Sequence, residues 1–192
     1  MEENRIKIPE TVLLIGGSAG SIDVLMKVFP LIKPTDRLSI ILIVHRKGAS
    51  DSILVDLLAS RTDLTVKEAE EKENILPGAV YIAPPEYHLL FEKDYTFSLD
   101  VSEKINYSRP SIDVSFASAA NAFSGKTVGL LLSGANADGV DGLCIIQEKG
   151  GIAAVQDYKT AEVPYMPQQA FERLSSLTVL SIEDMSIFIN NL

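Results

Sequence analysis

Several residue types are scarce in this sequence of 192 residues, and each scarcity excludes a class of protein. The single cysteine, Cys144, cannot form a disulfide within the chain, which excludes a disulfide-stapled domain and agrees with a reducing compartment. Apolar runs are interrupted within about ten residues, whereas a membrane-spanning helix needs about 20, so we expect no membrane insertion. Basic residues number 17 against 26 acidic ones, and the net charge of −9 argues against a nucleic-acid partner.

The N-terminal residues show no secretory signal, because acidic side chains come first and no apolar core follows them. We therefore predict a cytoplasmic protein. The length fits one domain of the usual size, about 100–200 residues. Residues 1–10 are predicted to form an N-terminal lead, and residues 11–192 a single folded domain.

The sequence does contain a regular alternation of apolar runs with amphipathic segments, which predicts parallel strands connected by helices. The predicted strands cover residues 12–15, 40–44, 64–66, 80–83, 128–132, 152–155 and 178–180. One predicted helix follows Gly20, and a last one begins after a capping pattern at residues 181–184. The four between them cover residues 51–59, 111–123, 140–149 and 168–174. Helical spacing predicts that Ile22 and Ile53 face the core, each within an apolar stripe.

Two further apolar runs predict an antiparallel hairpin attached to the sheet. They cover residues 88–92 and 95–99 and are separated only by residues 93 and 94, which suits a tight turn. The predicted fold class is therefore α/β. We expect a three-layer α/β/α domain with a mostly parallel, Rossmann-like sheet plus the antiparallel hairpin.

Three polar side chains lie just past the ends of predicted strands. Ser18 follows the first strand within a G-x-S-x-G turn over residues 16–20, while His45 and Asp138 each follow a later strand. Because the carboxyl ends of parallel strands meet at one edge, we expect these three side chains to lie close together. The set predicts a serine hydrolase, in which His45 Nε2 approaches Ser18 Oγ to about 3 Å and removes its proton. Asp138 would orient the imidazole ring.

The glycine-rich turn around Ser18 also has a second interpretation. A serine on a sharp strand-to-helix turn is typical of a nucleophile, and the next backbone N–H, that of Ala19, can help to form an oxyanion hole. A glycine-rich turn can instead hold a phosphate, and Arg46 and Lys47 would suit a dinucleotide 2′-phosphate. However, Ser18 stands where the dinucleotide fingerprint needs its second glycine, and a phosphate-loop lysine is absent.

The histidines and the aspartate have alternatives too. His45 could be an ordinary hydrogen-bonded structural residue, and Asp138 could cap the helix that begins near Gly139. His88, the other histidine, opens the hairpin, and we predict that it lies on the rim or the substrate side of the site. The chain order of serine, histidine and aspartate differs from the α/β-hydrolase order, which disfavours that fold.

Several stretches that contain these residues follow one another in a specific order. They are residues 15–20, 43–45, 76–84 with His88, 108–113, 132–139, 150–151 with 156–157, and 165–167. In this order they resemble the catalytic domain of the CheB-type protein-glutamate methylesterases of bacterial chemotaxis, over nearly the whole chain. The resemblance implies a triad of Ser18, His45 and Asp138. It also implies hydrolysis of glutamyl methyl esters on chemoreceptors and deamidation of receptor glutamines, with no metal and no organic cofactor.

The sequence departs from the family pattern at several points. Residues 134–139 read Gly-Ala-Asn-Ala-Asp-Gly where the family usually has Gly-Met-Gly-x-Asp-Gly, so the loop expected to line the oxyanion hole is altered. The backbone N–H of Ala135 remains as a donor there. Ala19 replaces a common hydroxyl residue, and Ser21 a frequent glycine. The usual N-terminal receiver domain is missing, so we expect a stand-alone enzyme without phosphorylation control within the chain.

The partners implied by the resemblance are the methylated cytoplasmic helices of chemoreceptors, with a separate regulator protein as a further candidate. Arg46, Lys47 and Arg109 could supply local contacts, and Arg109 and His88 are the candidates for the substrate side. An acidic enzyme gains no long-range attraction toward acidic helices. Two alternatives stay open: a non-catalytic receptor-binding or signalling module with the same fold, and an esterase with a small-molecule substrate.

Overall fold

A computed structural model describes residues 7–46 and 51–192, and these residues form nine strands and six α-helices. The strands are β1 (Thr11–Gly17), β2 (Leu38–Val44), β3 (Thr65–Glu68), β4 (Ala79–Ile82), β5 (His88–Phe91), β6 (Phe97–Asp100), β7 (Thr127–Leu131), β8 (Ile152–Gln156) and β9 (Thr178–Leu180). The helices are α1 (Ser21–Val28), α2 (Asp51–Ala59), α3 (Ile112–Ala122), α4 (Val140–Glu148), α5 (Tyr165–Arg173) and α6 (Ile182–Asn190).

Seven of the described strands make one parallel sheet in the order β3-β4-β2-β1-β7-β8-β9. Strands β1, β2 and β7 are buried along almost their whole length, as expected for a parallel sheet that is covered on both faces. One apolar core lies between the sheet and α1, α2 and α6, and the other between the sheet and α3, α4 and α5. The predicted three-layer α/β/α architecture is confirmed. None of the helices in the described ranges is both long and apolar enough to span a bilayer.

The hairpin is present, but its position and turn differ from the prediction. Among the described strands, β5 and β6 pair with each other and form a separate two-stranded sheet. Phe91 pairs with Phe97, so residues 92–96 connect the strands instead of a two-residue turn. Both phenylalanines are buried in the core. The register is therefore set by pairing apolar side chains on the buried face, which outweighs the preference for the shortest turn.

Two of the predicted core positions are wrong. Ile22 of α1 is 37% exposed and Ile53 of α2 is 64% exposed. At α1 the cause is the close approach of the helix to β1, since a Cβ on Gly17 would lie only 2.5 Å from the Cβ of Ser21. Only a small side chain fits between them, so Ser21 faces inward and Ile22 turns outward.

Candidate active site

The candidate site lies at the point where the chain reverses its direction across the sheet. Strands β1 and β7 are neighbours, and the chain continues from β1 toward β2 but from β7 toward β8. In open α/β sheets the loops at such a point diverge and leave a crevice for ligands. A cleft of about 420 Å³ opens here, lined by Ser18, His45, Arg46, Glu86, Lys104 and residues 107–110.

Ser18 is held in this cleft by its backbone, which leaves its side chain available. Its N–H donates to Ser133 O at 2.9 Å, and its carbonyl accepts from the N–H and the hydroxyl of Ser21, at 3.1 and 2.7 Å. Within the described part of the chain, the Ser18 hydroxyl makes no hydrogen bond. A half-buried, uncommitted hydroxyl on a fixed turn suits a nucleophile.

Ser133, which is not among the predicted site residues, fixes the turn that carries Ser18. Its buried hydroxyl donates to Ala19 O at 2.7 Å and accepts from Val163 N at 2.9 Å. Its own N–H donates to Gln156 Oε1 at 3.1 Å. Ser133, two residues after the end of β7, therefore holds the main chain at Ser18 N and at Ala19 O.

His45 reaches the candidate acid but presents a different nitrogen from the one predicted. Its Nε2 lies 2.8 Å from Asp138 Oδ2, and its side chain is 14% exposed at the cleft instead of buried in the core. The nitrogen left for Ser18 is thus Nδ1, and the expected approach of Nε2 to Ser18 Oγ is wrong. In the described ranges no hydrogen bond joins the ring to the Ser18 hydroxyl.

Asp138 is 1% exposed, and its carboxylate accepts four hydrogen bonds. Oδ1 accepts from Ser111 Oγ at 2.9 Å and from Asp113 N at 3.0 Å. Oδ2 accepts from Ile112 N at 2.7 Å as well as from His45. Burial by itself would raise the pKa of Asp138, but the bonds from His45 and from the backbone outweigh burial, and the pKa lies below its ordinary value. The carboxylate therefore stays charged.

The alternative role of Asp138 as a cap of the helix that begins near Gly139 is wrong, because its carboxylate binds the start of α3 instead. The N-cap of α4 is Gly139, which has no capping side chain, whereas the N–H groups bound by Asp138 belong to the first turn of α3. The carboxyl group of Asp113 in turn accepts a hydrogen bond from Gly142 N of α4 at 2.8 Å. Burial raises the pKa of Asp113 to about 7, with a further increase from the Asp138 carboxylate.

His88 is not a rim or substrate-side residue, which corrects the sequence prediction. Its side chain is buried, with 1% of its surface exposed, and it does not line the cleft. Nδ1 accepts from Ser111 N at 3.1 Å, and Nε2 lies 3.0 Å from Glu103 O. Because β5 packs against α3, its first residue points into the space beneath the start of that helix.

Arg109 does line the cleft, and its guanidinium also organises the cleft wall. Nη1 donates to Val101 O at 2.8 Å and to Ser102 O at 2.7 Å, and Nη2 donates to Glu86 Oε2 at 3.2 Å. Its proposed contact with substrate stays a prediction.

Arg46 lines the cleft, and its guanidinium is held by hydrogen bonds within the chain. Nη2 donates to Ala83 O at 2.9 Å and to Glu68 Oε1 at 3.3 Å, and the side chain is 6% exposed. Lys47 lies outside the described residues.

The two predicted oxyanion donors, the N–H groups of Ala19 and Ala135, lie on loops that Ser133 and Gly134 hold in place. Gly134 N donates to Val163 O at 3.0 Å, and Gly134 O accepts from Met166 N at 3.0 Å. Neither Ala19 N nor Ala135 N donates to any described residue, and both alanines are exposed. Both groups are therefore available to a ligand, and their role stays a prediction.

Comparisons with known proteins agree with this geometry. A family model described as CheB methylesterase matches residues 13–189. A Leptospira interrogans protein named "Putative protein-glutamate methylesterase/protein-glutamine glutaminase" is 44% identical over 174 residues, which is 91% of this chain and 90% of that protein. A Geobacter metallireducens protein named "Protein-glutamate methylesterase/protein-glutamine glutaminase 1" is 35% identical over 176 residues, covering 90% of this chain and 48% of its own. The crystal structure of the Thermotoga maritima CheB methylesterase catalytic domain superposes with a TM-score of 0.91 at 30% identity, covering 96% of this chain and 99% of that one.

Proposed function

Since the chain belongs to the CheB methylesterase family, we propose that it is a serine hydrolase that removes methyl groups from glutamyl methyl esters of chemoreceptors and deamidates receptor glutamines. The observation that carries the proposal is the 2.8 Å contact of His45 with Asp138 beside the uncommitted hydroxyl of Ser18. A buried, charged acid on one nitrogen of a ring that lines the cleft leaves the other nitrogen to act as the base.

The reaction proceeds in two steps through an acyl-enzyme. Ser18 Oγ attacks the ester carbonyl while His45 Nδ1 takes its proton, and the resulting imidazolium is stabilised by Asp138. The N–H groups of Ala19 and Ala135 are the donors for the oxyanion. Methanol then leaves with the proton from His45. A water molecule, deprotonated by His45, attacks the acyl group and releases the glutamate carboxyl and the Ser18 hydroxyl. With glutamine as substrate, ammonia leaves in place of methanol.

The walls of the cleft suit a side chain that protrudes from a larger partner. The cleft is open to solvent, and Tyr107 at its edge is 99% exposed. Lys104 and Arg109 carry positive charge on this wall, with Glu86 paired to both. A methylated glutamyl side chain enters the cleft while the receptor helix stays outside, and the basic groups contact its acidic neighbours.

The test is methanol release from methylated receptor membranes by the purified chain and by Ser18→Ala. We expect the variant to lose methanol release to background with an unchanged unfolding temperature, because the hydroxyl it removes makes no hydrogen bond with the described residues. Ser60→Ala, an exposed serine beyond α2, is the matched control and should release methanol at the native rate.

Native-rate hydrolysis by Ser18→Ala would exclude Ser18 as the nucleophile. If the unmodified chain instead binds receptor fragments and releases no methanol, the altered loop over residues 134–137 has removed the activity. The non-catalytic receptor-binding module is then the better assignment. Hydrolysis of small esters but not of receptor esters would favour the small-molecule esterase.

A further inference from the structure

His88 is buried between two parts of the candidate active site and contacts both through one ring. Its Nδ1 accepts from a backbone N–H, that of Ser111, and its Nε2 lies 3.0 Å from a backbone carbonyl, that of Glu103. A nitrogen that accepts must be unprotonated, and a nitrogen that faces a carbonyl must carry hydrogen. The ring is therefore neutral, with its proton on Nε2, and it spans two fixed points of the main chain.

The Ser111 contact leads to the candidate acid. Ser111 is the N-cap of α3, and its hydroxyl donates to Asp138 Oδ1 at 2.9 Å. The next two N–H groups, those of Ile112 and Asp113, also donate to Asp138. The position of Ser111 thus sets three of the four hydrogen bonds that hold the carboxylate facing His45.

The Glu103 contact leads to the cleft wall. Lys104, the next residue, lines the cleft. The preceding carbonyls, those of Val101 and Ser102, are held by Arg109, so the main chain over residues 101–103 is anchored by one arginine and one histidine. A shift of Glu103 would move the wall without touching the hydroxyl of Ser18.

We propose that His88 is a positioning residue of the hydrolase, which acts through Ser111 on Asp138 and through Glu103 on the substrate wall. It does not touch the substrate. The inference rests on the proposed function, because its kinetic consequences require the chain to hydrolyse esters. Its structural consequence, the coupling of His88 to the pair of His45 and Asp138, is measurable without turnover.

Two amide substitutions separate the two contacts. In His88→Asn the amide oxygen lies near the place of Nδ1 and still accepts from Ser111, while the contact to Glu103 is lost. In His88→Gln the amide nitrogen reaches the place of Nε2 and still donates to Glu103, while the acceptor for Ser111 is lost. Ser115→Ala is the matched control, because this buried serine lies on the same helix and its hydroxyl has no hydrogen-bond partner in the described structure.

We expect opposite kinetic signatures, measured as methanol release per folded protein. His88→Gln should lower kcat by about 10-fold or more with KM nearly unchanged, since a displacement of about 1 Å at reacting groups can cost as much as 100-fold. His88→Asn should raise KM several-fold with a smaller effect on kcat, because loosening the wall weakens substrate binding. Ser115→Ala should change neither.

The second readout is the ring N–H proton of His45 that faces Asp138, observed in a nitrogen-edited NMR spectrum. We expect it to shift in His88→Gln and to keep its native position in His88→Asn and Ser115→Ala. Equal kcat and KM in all folded variants with an unmoved resonance would overturn the proposal, and so would the same kinetic change in both amide variants. Absence of methanol release from the unmodified chain would instead overturn the proposed function, and the resonance would still decide the role of His88.

Discussion

At the scale of single residues, Asp138 combines the roles of an orienting acid and a helix cap, which were predicted as alternatives. It orients His45, and it satisfies N–H groups in the first turn of α3. A helix N-terminus favours negative charge, so the helix helps to keep this carboxylate ionised where burial alone would protonate it. The acid and the cap are therefore one structural feature.

We predict that Asp138→Asn reduces both turnover and stability. One oxygen becomes an NH₂ group, and because each carboxylate oxygen accepts from a backbone N–H of α3, this NH₂ group must face a donor. We expect kcat to fall by as much as about 10⁴-fold, as when the acid of another serine-hydrolase triad is replaced. The free energy of unfolding should fall by about 1–3 kcal/mol, the usual cost of an unsatisfied buried group.

Methanol release and urea denaturation of the same preparations measure the two effects. A loss of activity that only follows the unfolded fraction would show that Asp138 serves α3 alone. Asp141→Asn, an exposed acid in the first turn of α4, is a suitable control.

At the scale of elements, α3 and α4 cap each other. Asp138, just before α4, binds the start of α3, and Asp113, in the first turn of α3, binds Gly142 in the first turn of α4. The helices can approach this closely because residue 142 is glycine, where a Cβ would lie 2.5 Å from the Cβ of Phe116. The mutual caps fix the loop that carries Asp138 relative to the sheet.

This arrangement predicts a dependence of stability on pH. The pKa of Asp113 rises from an ordinary 3.8 to about 7 on folding, so the folded chain binds this proton more tightly than the unfolded chain does. The stabilisation that the protonated Asp113 carboxyl provides is complete below about pH 4 and is lost as the pH rises to about 7. In Asp113→Asn, the amide oxygen can still accept from Gly142. Because the amide does not ionise, the variant does not lose stability at this site as the pH rises.

We therefore expect the stability of Asp113→Asn, relative to that of the unmodified chain, to be higher at about pH 8 than at about pH 5. Each kcal/mol corresponds to about 2–4 °C in the unfolding temperature of a chain of this size. Differential scanning calorimetry at both pH values measures the difference. The same pH-dependent gain in Asp23→Asn, which removes an exposed acid from the first turn of α1, would assign the effect to general charge repulsion instead.

At the scale of the whole molecule, the cleft beside Ser18 is open among the described residues. Ala19 and Ala135, which carry the proposed oxyanion donors, are exposed, and Ser18 lines a cleft of about 420 Å³. We predict that the purified chain releases methanol at the same rate with and without a small-molecule phosphodonor. Activity that appears only with the phosphodonor, or only after addition of a separate receiver protein, would show that the site is gated.

The layered α/β architecture, and the edge of the sheet at which the chemistry collects, follow from the amino-acid sequence alone. Apolar runs that alternate with amphipathic segments have few solutions other than a parallel sheet between helices. In such a sheet the residues that follow the strands must share one edge, so Ser18, His45 and Asp138 could be grouped before any distance was known. The order of the motifs, which resembles that of the family, then indicated which reaction these three residues would catalyse.

Which polar groups contact each other depends on the three-dimensional packing of the elements. Asp138 binds a helix that begins 26 residues earlier in the chain, His45 turns Nε2 toward it, and His88 lies under α3 instead of at the rim. These contacts depend on how α3 and α4 are placed over the sheet, which is set by close packing at Gly142 and by apolar pairing in the hairpin. Sequence periodicity indicates which face of an element is buried, but it carries no information about which buried polar groups meet between elements.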